Sequence, residues 1–488
     1  MFSSSPAPVS RVRAIATALR EKPLLTGALA MFLLLAVVYA FSIDIRASRG
    51  AAITGDEPFY LLTTQSLIQD GDLDLRQQYE AESYRDFFDH PDGLWMQFVP
   101  TEDGRFLSPH NPGLSVFLLP GFALGGLLGA QVQLLLTAAL TFALTFVLVA
   151  RITGAIVAAW LGTLAVSLSA TSFVYSTEIY PEVPAALAIV TALLAASGRE
   201  RPGSLAAVAV AVGLTAVAWL GVKYVPLGLL VGVYFLVRAQ APGRATLVAL
   251  AAPGAAFYVW FHLHTFGELT PYSVNTVYAG SSTAEVIDSH VDFGDRFYRL
   301  WGLFIDRRFG IGRWAPVLLL ALPGMLALVR RPGLERVVIG LIAAQVLMAT
   351  FVAITMMGWW FPGRTLMTVL PLTALPLAAL LQRGSRLAHV AATALGCYSV
   401  TLTAALAYAG HTREIFVAVN PFDLQAGVFR ATSHLFPQYT SWSTETWVLT
   451  VCWLAIAAAG LLAAVRPRGN NWKLMYSRDC ARSPSLSR

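Results

Sequence analysis

The sequence predicts an all-α, polytopic membrane protein, and three observations carry that prediction. Of 488 residues, 56% are hydrophobic and only 13% are charged, about half the charge of a soluble domain. The mean hydropathy is +0.62. Apolar runs of membrane-spanning length recur along most of the chain. Together these exclude a soluble globular enzyme, a disordered chain and a fibrous one. The net charge of +6 is modest, and all basic residues but Lys22, Lys223 and Lys473 are arginines. The partners expected are membrane lipids, with no nucleic acid.

Segment 1–23 reads as a cytoplasmic lead. The apolar run after Arg20 and Lys22 is about twenty residues long and lacks a small-residue cleavage site, so it reads as a retained first span. Spans are then expected near 24–43, 131–150, 152–171, 183–197, 204–221, 224–238, 245–262, 314–329, 335–357, 365–382, 386–409 and 446–465. A spanning helix needs about 20 apolar residues. The runs at 183–197, 224–238 and 314–329 are short and borrow flanking residues. Run 113–129 holds Pro120 and several glycines.

Charge decides how to treat that last run. Cytoplasmic loops collect Lys and Arg. If 113–129 does not cross and the N-terminus is inside, the inside segments hold Arg11, Arg13, Arg20 and Lys22, then Arg151, Arg199 and Arg201, Arg238 and Arg244, Arg330, Arg331 and Arg336, and Arg383 and Arg386. Glu21, Glu200, Glu335 and Asp479 are the inside acids, and the other 24 of 28 fall outside. A crossing at 113–129 would invert every later loop. The sequence therefore predicts about 12 spans, both termini cytoplasmic, and 113–129 as a juxtamembrane or re-entrant helix.

The spanning domain covers 24–465, with long outer loops at 44–112, 263–313 and 410–445. A basic tail, 466–488, reads as disordered. Cys397, Cys452 and Cys480 form no CxxC pair, so neither a disulfide framework nor a thiolate zinc site is expected.

The outer loops and span edges carry the polar chemistry. The first loop opens ITGDEPFYLL, where Asp56-Glu57-Pro58 reads as a helix start. Tyr60 begins an apolar face suited to the membrane interface. Helix capping accounts for one acid there and less well for two; the functional reading is a catalytic acid or base at the membrane surface. His110-Asn111-Pro112 sits where the loop re-enters the membrane. Glu178 and Glu182 lie at the outer edge after the third span, Glu182 between Pro181 and Pro184. Lys223 interrupts an otherwise apolar stretch and needs a partner or a route to the surface. Arg364 sits in a second outer hairpin beside Trp359 and Trp360. Asp306-Arg307-Arg308 reads either as a solvated cluster or as a further part of the site. A cavity with acids on one side and cations on the other suits a lipid-linked phosphate donor.

That ordered set resembles the GT-C superfamily of membrane glycosyltransferases, in the branch of the lipid A aminoarabinose transferases and protein O-mannosyltransferases. The resemblance spans roughly 24–382 and rests on Asp56-Glu57 with Tyr60, His110-Asn111-Pro112, Glu182-Val183-Pro184, Lys223, and Gly358 to Arg364. It departs from the aminoarabinose transferases at Phe59 and Asn111, where they carry basic residues, and at Glu182, where they carry Asp.

The resemblance implies a GT-C-like bundle with juxtamembrane helices in the first outer loop. It implies an inverting transferase working outside a cytoplasmic membrane, with a polyprenyl-phosphate-linked sugar donor and a glycan, lipid or protein acceptor. Asp56, Glu57 and Glu182 are the expected catalytic residues. Asp56 would act as general base or orient the acceptor through a metal. Tyr60, His110, Asn111, Glu178, Lys223 and Arg364 are expected to bind substrate, the two cations on the phosphate. Converging carboxylates admit a divalent metal, though no His/Cys set demands one. The competing readings are a twelve-span transporter or lipid flippase, and a non-catalytic assembly partner.

Overall fold

The structure, a computed structural model, describes residues 23–465 apart from 199, 200, 330, 332 and 359. The expectations for the N-terminal lead, the basic tail, Arg199, Glu200, Arg330 and Trp359 therefore lie outside the described residues.

Nineteen α-helices run through those residues. In chain order they are α1 Pro23–Ala40, α2 Glu57–Gln69, α3 Arg76–Glu80, α4 Gly113–Thr153, α5 Ile156–Ser167, α6 Ala170–Tyr175, α7 Glu182–Ala196, α8 Ser204–Leu220, α9 Val225–Arg238, α10 Ala241–Phe266, α11 Thr283–His290, α12 Arg299–Ile305, α13 Ile311–Trp314, α14 Ala321–Val329, α15 Leu334–Phe351, α16 Ala374–Arg383, α17 Arg386–His411, α18 Gly427–Ala431 and α19 Thr444–Val465. Two isolated bridges, Asp74 with Leu107 and Phe98 with Asn275, are the β features recorded among the described residues. The chain is an all-helical, multi-pass membrane protein. Among the described residues, six helices are individually long and apolar enough to cross a bilayer. In a bilayer helices satisfy their own backbone polar groups, which is why apolar sequence folds this way there.

Run 113–129 folds back on itself. The backbone leaves helical geometry at Gly125 and Gly126, the latter at φ +55°. A side chain at Gly129 would meet the Gly121 carbonyl oxygen, and one at Gly121 would sit 2.6 Å from the Gly129 carbonyl oxygen. Gln133 holds the two limbs together, accepting from the Gly121 amide at 2.8 Å and donating to the Phe117 carbonyl at 2.5 Å. Residues eight apart touch only when the chain doubles back, since a straight helix would separate them by about 12 Å.

Two expectations need correction. Helix α2 was expected to lie amphipathically in the interface, yet every residue from Glu57 to Ser66 is buried. The hairpin limb of α4 covers one side, with Ser115 Oγ donating to the Tyr60 carbonyl at 2.9 Å, and His110 and Trp95 pack on Phe59. Run 365–382 was expected to be one spanning helix. It holds two 3-10 turns, Arg364–Leu366 and Leu370–Thr373, before the ten-residue α16. Pro371 and Pro376 supply no amide hydrogen, which disfavours a continuous α-helix through this run. Burial from Arg364 to Ala379 lets protein rather than lipid meet the irregular backbone.

Helices next in the chain run antiparallel, as α7 and α8 do, whereas α8 and α10 run parallel, with Gly254 beside Thr215 and Trp219 on Phe257 and Phe261. α1 lies on α4, α7 on α8, α8 on α10, and α16 on both α5 and α14. This alternation brings the start of α7, the α8–α9 turn and the segment after α15 to one end of the bundle.

Candidate active site

Asp56 is the N-cap residue of α2, but its side chain makes no capping hydrogen bond. Its Oδ2 instead accepts from Arg364 Nη2 at 2.9 Å. The other oxygen, Oδ1, lies 4.0 Å from His110 Nε2. Arg364 Nε donates to Glu182 Oε1 at 3.3 Å, and Lys223 Nζ reaches the same oxygen at 2.8 Å. Lys223, Glu182, Arg364 and Asp56 thus form one alternating chain of charge drawn from four separate segments, with the His110 ring beside its end. Glu182 is fully buried, and its Oε2 has no protein partner.

Each member is held by its local structure. Glu182 opens α7 directly after Pro181. Lys223 lies in the 3-10 turn Val222–Tyr224, which Gly221 opens at the end of α8. Arg364 follows Gly363, whose φ is +92° and where a side chain would press on Ile311 and Thr171. Two hydrogen bonds bolt that hairpin to α6: Thr171 Oγ1 donates to the Pro362 carbonyl at 3.1 Å, and the Tyr175 hydroxyl to the Phe361 carbonyl at 2.5 Å. Gln345 of α15 donates to the Thr365 carbonyl at 2.6 Å. The Arg364 guanidinium stacks 3.7 Å above the Tyr180 ring and 5.0 Å from Trp360. A crevice with about 310 Å³ of empty space, counting its open mouth, reaches Arg364 from the hairpin side; Leu303, Phe309, Met356 and Trp360 form much of its wall.

Burial pushes the Asp56 carboxyl up, but Arg364, His110 and Lys223 outweigh it, so the net shift is downward and Asp56 stays ionised. Burial lowers His110 against the opposing pull of Asp56, and the ring is neutral near pH 7. His110 Nε2 also lies 3.0 Å from Gln97 Oε1.

The remaining expected residues sit beside this chain rather than in it. Glu57 turns away from the cations: its Oε2 accepts the Thr54 amide at 2.8 Å and its Oε1 the Ile179 amide at 2.9 Å. Burial, more than these two donors can offset, raises it to about 7. The Tyr60 ring lies 5.0 Å from the His110 ring. Asn111 faces α10, donating to the Tyr258 hydroxyl at 3.3 Å. Both carboxylate oxygens of Glu178 are buried without a protein partner.

In Asp306-Arg307-Arg308 the acid is buried, Arg307 is half-buried and Arg308 is exposed, and none of the three is bonded into the charge chain. Asp306 accepts the amides of Arg308, Phe309 and Tyr439, and Arg307 pairs with Glu445, which clasps the second and third outer loops together. Sequence reasoning missed Gln97 and Tyr180, whose contacts depend on long-range folding. Among the described residues no group of three or more His, Cys, Asp or Glu converges as a metal-ligand set.

No family model matches this chain, and no curated protein does. Solved structures similar to it include two of ArnT from Cupriavidus metallidurans. The form bound to undecaprenyl phosphate is 16% identical, with a TM-score of 0.48, covering 89% of this chain and 77% of that one. The apo form is 18% identical, with a TM-score of 0.48, covering 90% of this chain and 77% of that one.

Proposed function

We propose that this chain is a membrane glycosyltransferase of GT-C type. It moves a sugar from a polyprenyl-phosphate donor to an acceptor on the outer face of the cytoplasmic membrane. The observation that carries the reading is the single charge chain from Lys223 to Asp56, assembled where helix ends meet. Each member was singled out in the sequence on separate grounds, and together they meet in one place.

The chemistry follows from the geometry. Arg364 and Lys223 are the cations available to a phosphate, and Arg364 offers a planar fork of donors. Asp56 keeps one oxygen on Arg364 and leaves Oδ1 free to take the proton of an acceptor hydroxyl. That oxygen attacks the anomeric carbon while the bond from carbon to phosphate oxygen breaks. The sugar inverts, and polyprenyl phosphate leaves on the two cations. Glu182, anchored by both cations through Oε1, keeps Oε2 without a protein partner for the sugar or the acceptor. The apolar crevice beside Arg364 suits the prenyl end of the donor. Each of these steps is supplied by the chain's own side chains. The acceptor is a glycan, lipid or protein.

A transporter places its charges near the bilayer midplane in broken helices. Here they cluster at helix ends and turns, which favours surface chemistry. Proteoliposomes holding the purified chain and a labelled polyprenyl-phosphate sugar separate the two. Label covalently joined to an acceptor is expected. Label that only crosses the bilayer would assign a flippase instead.

A further inference from the structure

Gln97 lies on the first outer loop, in a stretch that the fold holds from both sides. Two backbone bonds join that stretch to the second outer loop. The Thr276 amide donates to the Gln97 carbonyl at 3.0 Å, and the Val99 amide to the Val274 carbonyl at 2.8 Å. The Trp95 ring packs 6.0 Å from Phe59 and 5.9 Å from Phe88. Phe98 is buried, 5.6 Å from both the Tyr79 and Phe106 rings. A side chain carried on such a frame can hold another group in place.

The Gln97 side chain is aimed at His110. Its Oε1 lies 3.0 Å from His110 Nε2, and the same nitrogen lies 4.0 Å from Asp56 Oδ1. A neutral imidazole carries one N–H, and an amide oxygen can only accept. The ring proton therefore sits on Nε2 and is given to Gln97. Asp56 Oδ1, at 4.0 Å, is beyond hydrogen-bond reach. The ring itself is steadied by Tyr60 at 5.0 Å and Phe59 at 5.9 Å.

Where that proton points matters to the base. The charged groups facing the ring are Asp56 at the start of α2, Arg364 on the hairpin and Lys223 in the α8–α9 turn. Arg364 and Lys223 are cations and accept nothing. Asp56 is the one of the three that can take a hydrogen bond from Nε2. A ring released from Gln97 needs only a small turn to close the gap to Oδ1. That bond would favour the ionised carboxylate, occupy the oxygen left for the acceptor hydroxyl and weaken it as a base.

We propose that Gln97 is a positioning residue for sugar transfer: it holds the ring proton of His110 away from Asp56, so that Oδ1 stays open to the acceptor. The inference rests on the transferase reading above. It gives the second outer loop a part in the reaction too, because Thr276 and Val274 hold the stretch that carries Gln97.

Steady-state sugar transfer by the full chain in proteoliposomes tests it, with Gln97→Leu, His110→Phe and the double variant beside wild type. Gln97→Leu should lower kcat roughly tenfold and leave both KM values within about twofold. Its acid limb in the pH–rate profile should move to lower pH, since a donor on Oδ1 lowers the pKa of Asp56. The double variant should be no slower than His110→Phe, because without the ring Gln97 has nothing to hold. Gln97→Glu keeps an acceptor for the ring proton and should stay within about threefold of wild type near pH 8. An active wild type with an unchanged kcat in Gln97→Leu overturns the inference alone. So do losses that add in full in the double variant, or a glutamate variant as slow as the leucine one. A wild type that transfers no sugar overturns the transferase reading and this inference with it.

Discussion

At the start of α2 two adjacent carboxylates face opposite ways. Asp56 meets Arg364 and His110, whereas Glu57 is bound by amides from two segments. The sequence made both conspicuous but did not separate their roles, because the separation depends on which partner each side chain reaches. Lys223→Ala should raise KM for the donor roughly tenfold with little change in KM for the acceptor, since Arg364 still holds Glu182. Steady-state kinetics with each substrate varied checks this, and equal effects on both would remove Lys223 from the phosphate.

His110 gives a pH prediction. Burial lowers its pKa from 6.5, so below about pH 6.5 the unfolded chain binds more protons than the folded one. Its contribution to stability is present above that pH and is lost as pH falls through the lowered value. His110→Gln should therefore flatten the loss of Tm on acidification below pH 6.5. Parallel acid limbs in both proteins would contradict it.

At the scale of elements, the hairpin bearing Arg364 is fixed by backbone shape and by α6 rather than by its own helix. Gly363 holds a positive φ against Ile311 and Thr171. Gly363→Ala should cost about 1–3 kcal/mol and lower turnover by moving Arg364. Chemical denaturation and turnover measured on one sample check both, and a variant with wild-type values would show that the hairpin tolerates a shift. The tight turn was not legible as such in the sequence, where the same residues read as the start of a span. Run 113–129 was better marked, since loop charges argued against a crossing and its glycines permit the close doubling back seen at Gly121 and Gly129.

For the whole molecule, hydropathy made the helical membrane fold legible, because a bilayer leaves few structures able to satisfy a backbone. The contacts within the site were legible only as a list of separate charges. What joins them is the alternation of helix direction, which repeats one end of the bundle at the start of α7, the α8–α9 turn and the hairpin after α15. That alternation also predicts topology. In a cysteine-free background, Asp103→Cys in the first outer loop should react with a membrane-impermeant maleimide on intact cells. Ala241→Cys, at the start of α10, should react only after lysis. The reverse pattern would put the charge chain on the cytoplasmic side.

The central claim is that Asp56 takes the acceptor's proton. Its most direct measurement is single-turnover sugar transfer by Asp56→Asn in proteoliposomes, beside wild type at matched expression and Tm. The amide keeps an oxygen for Arg364 and loses the base. Transfer should fall by roughly 10²–10⁴-fold while donor affinity holds. An Asp56→Asn protein that transfers sugar at the wild-type rate would contradict the account.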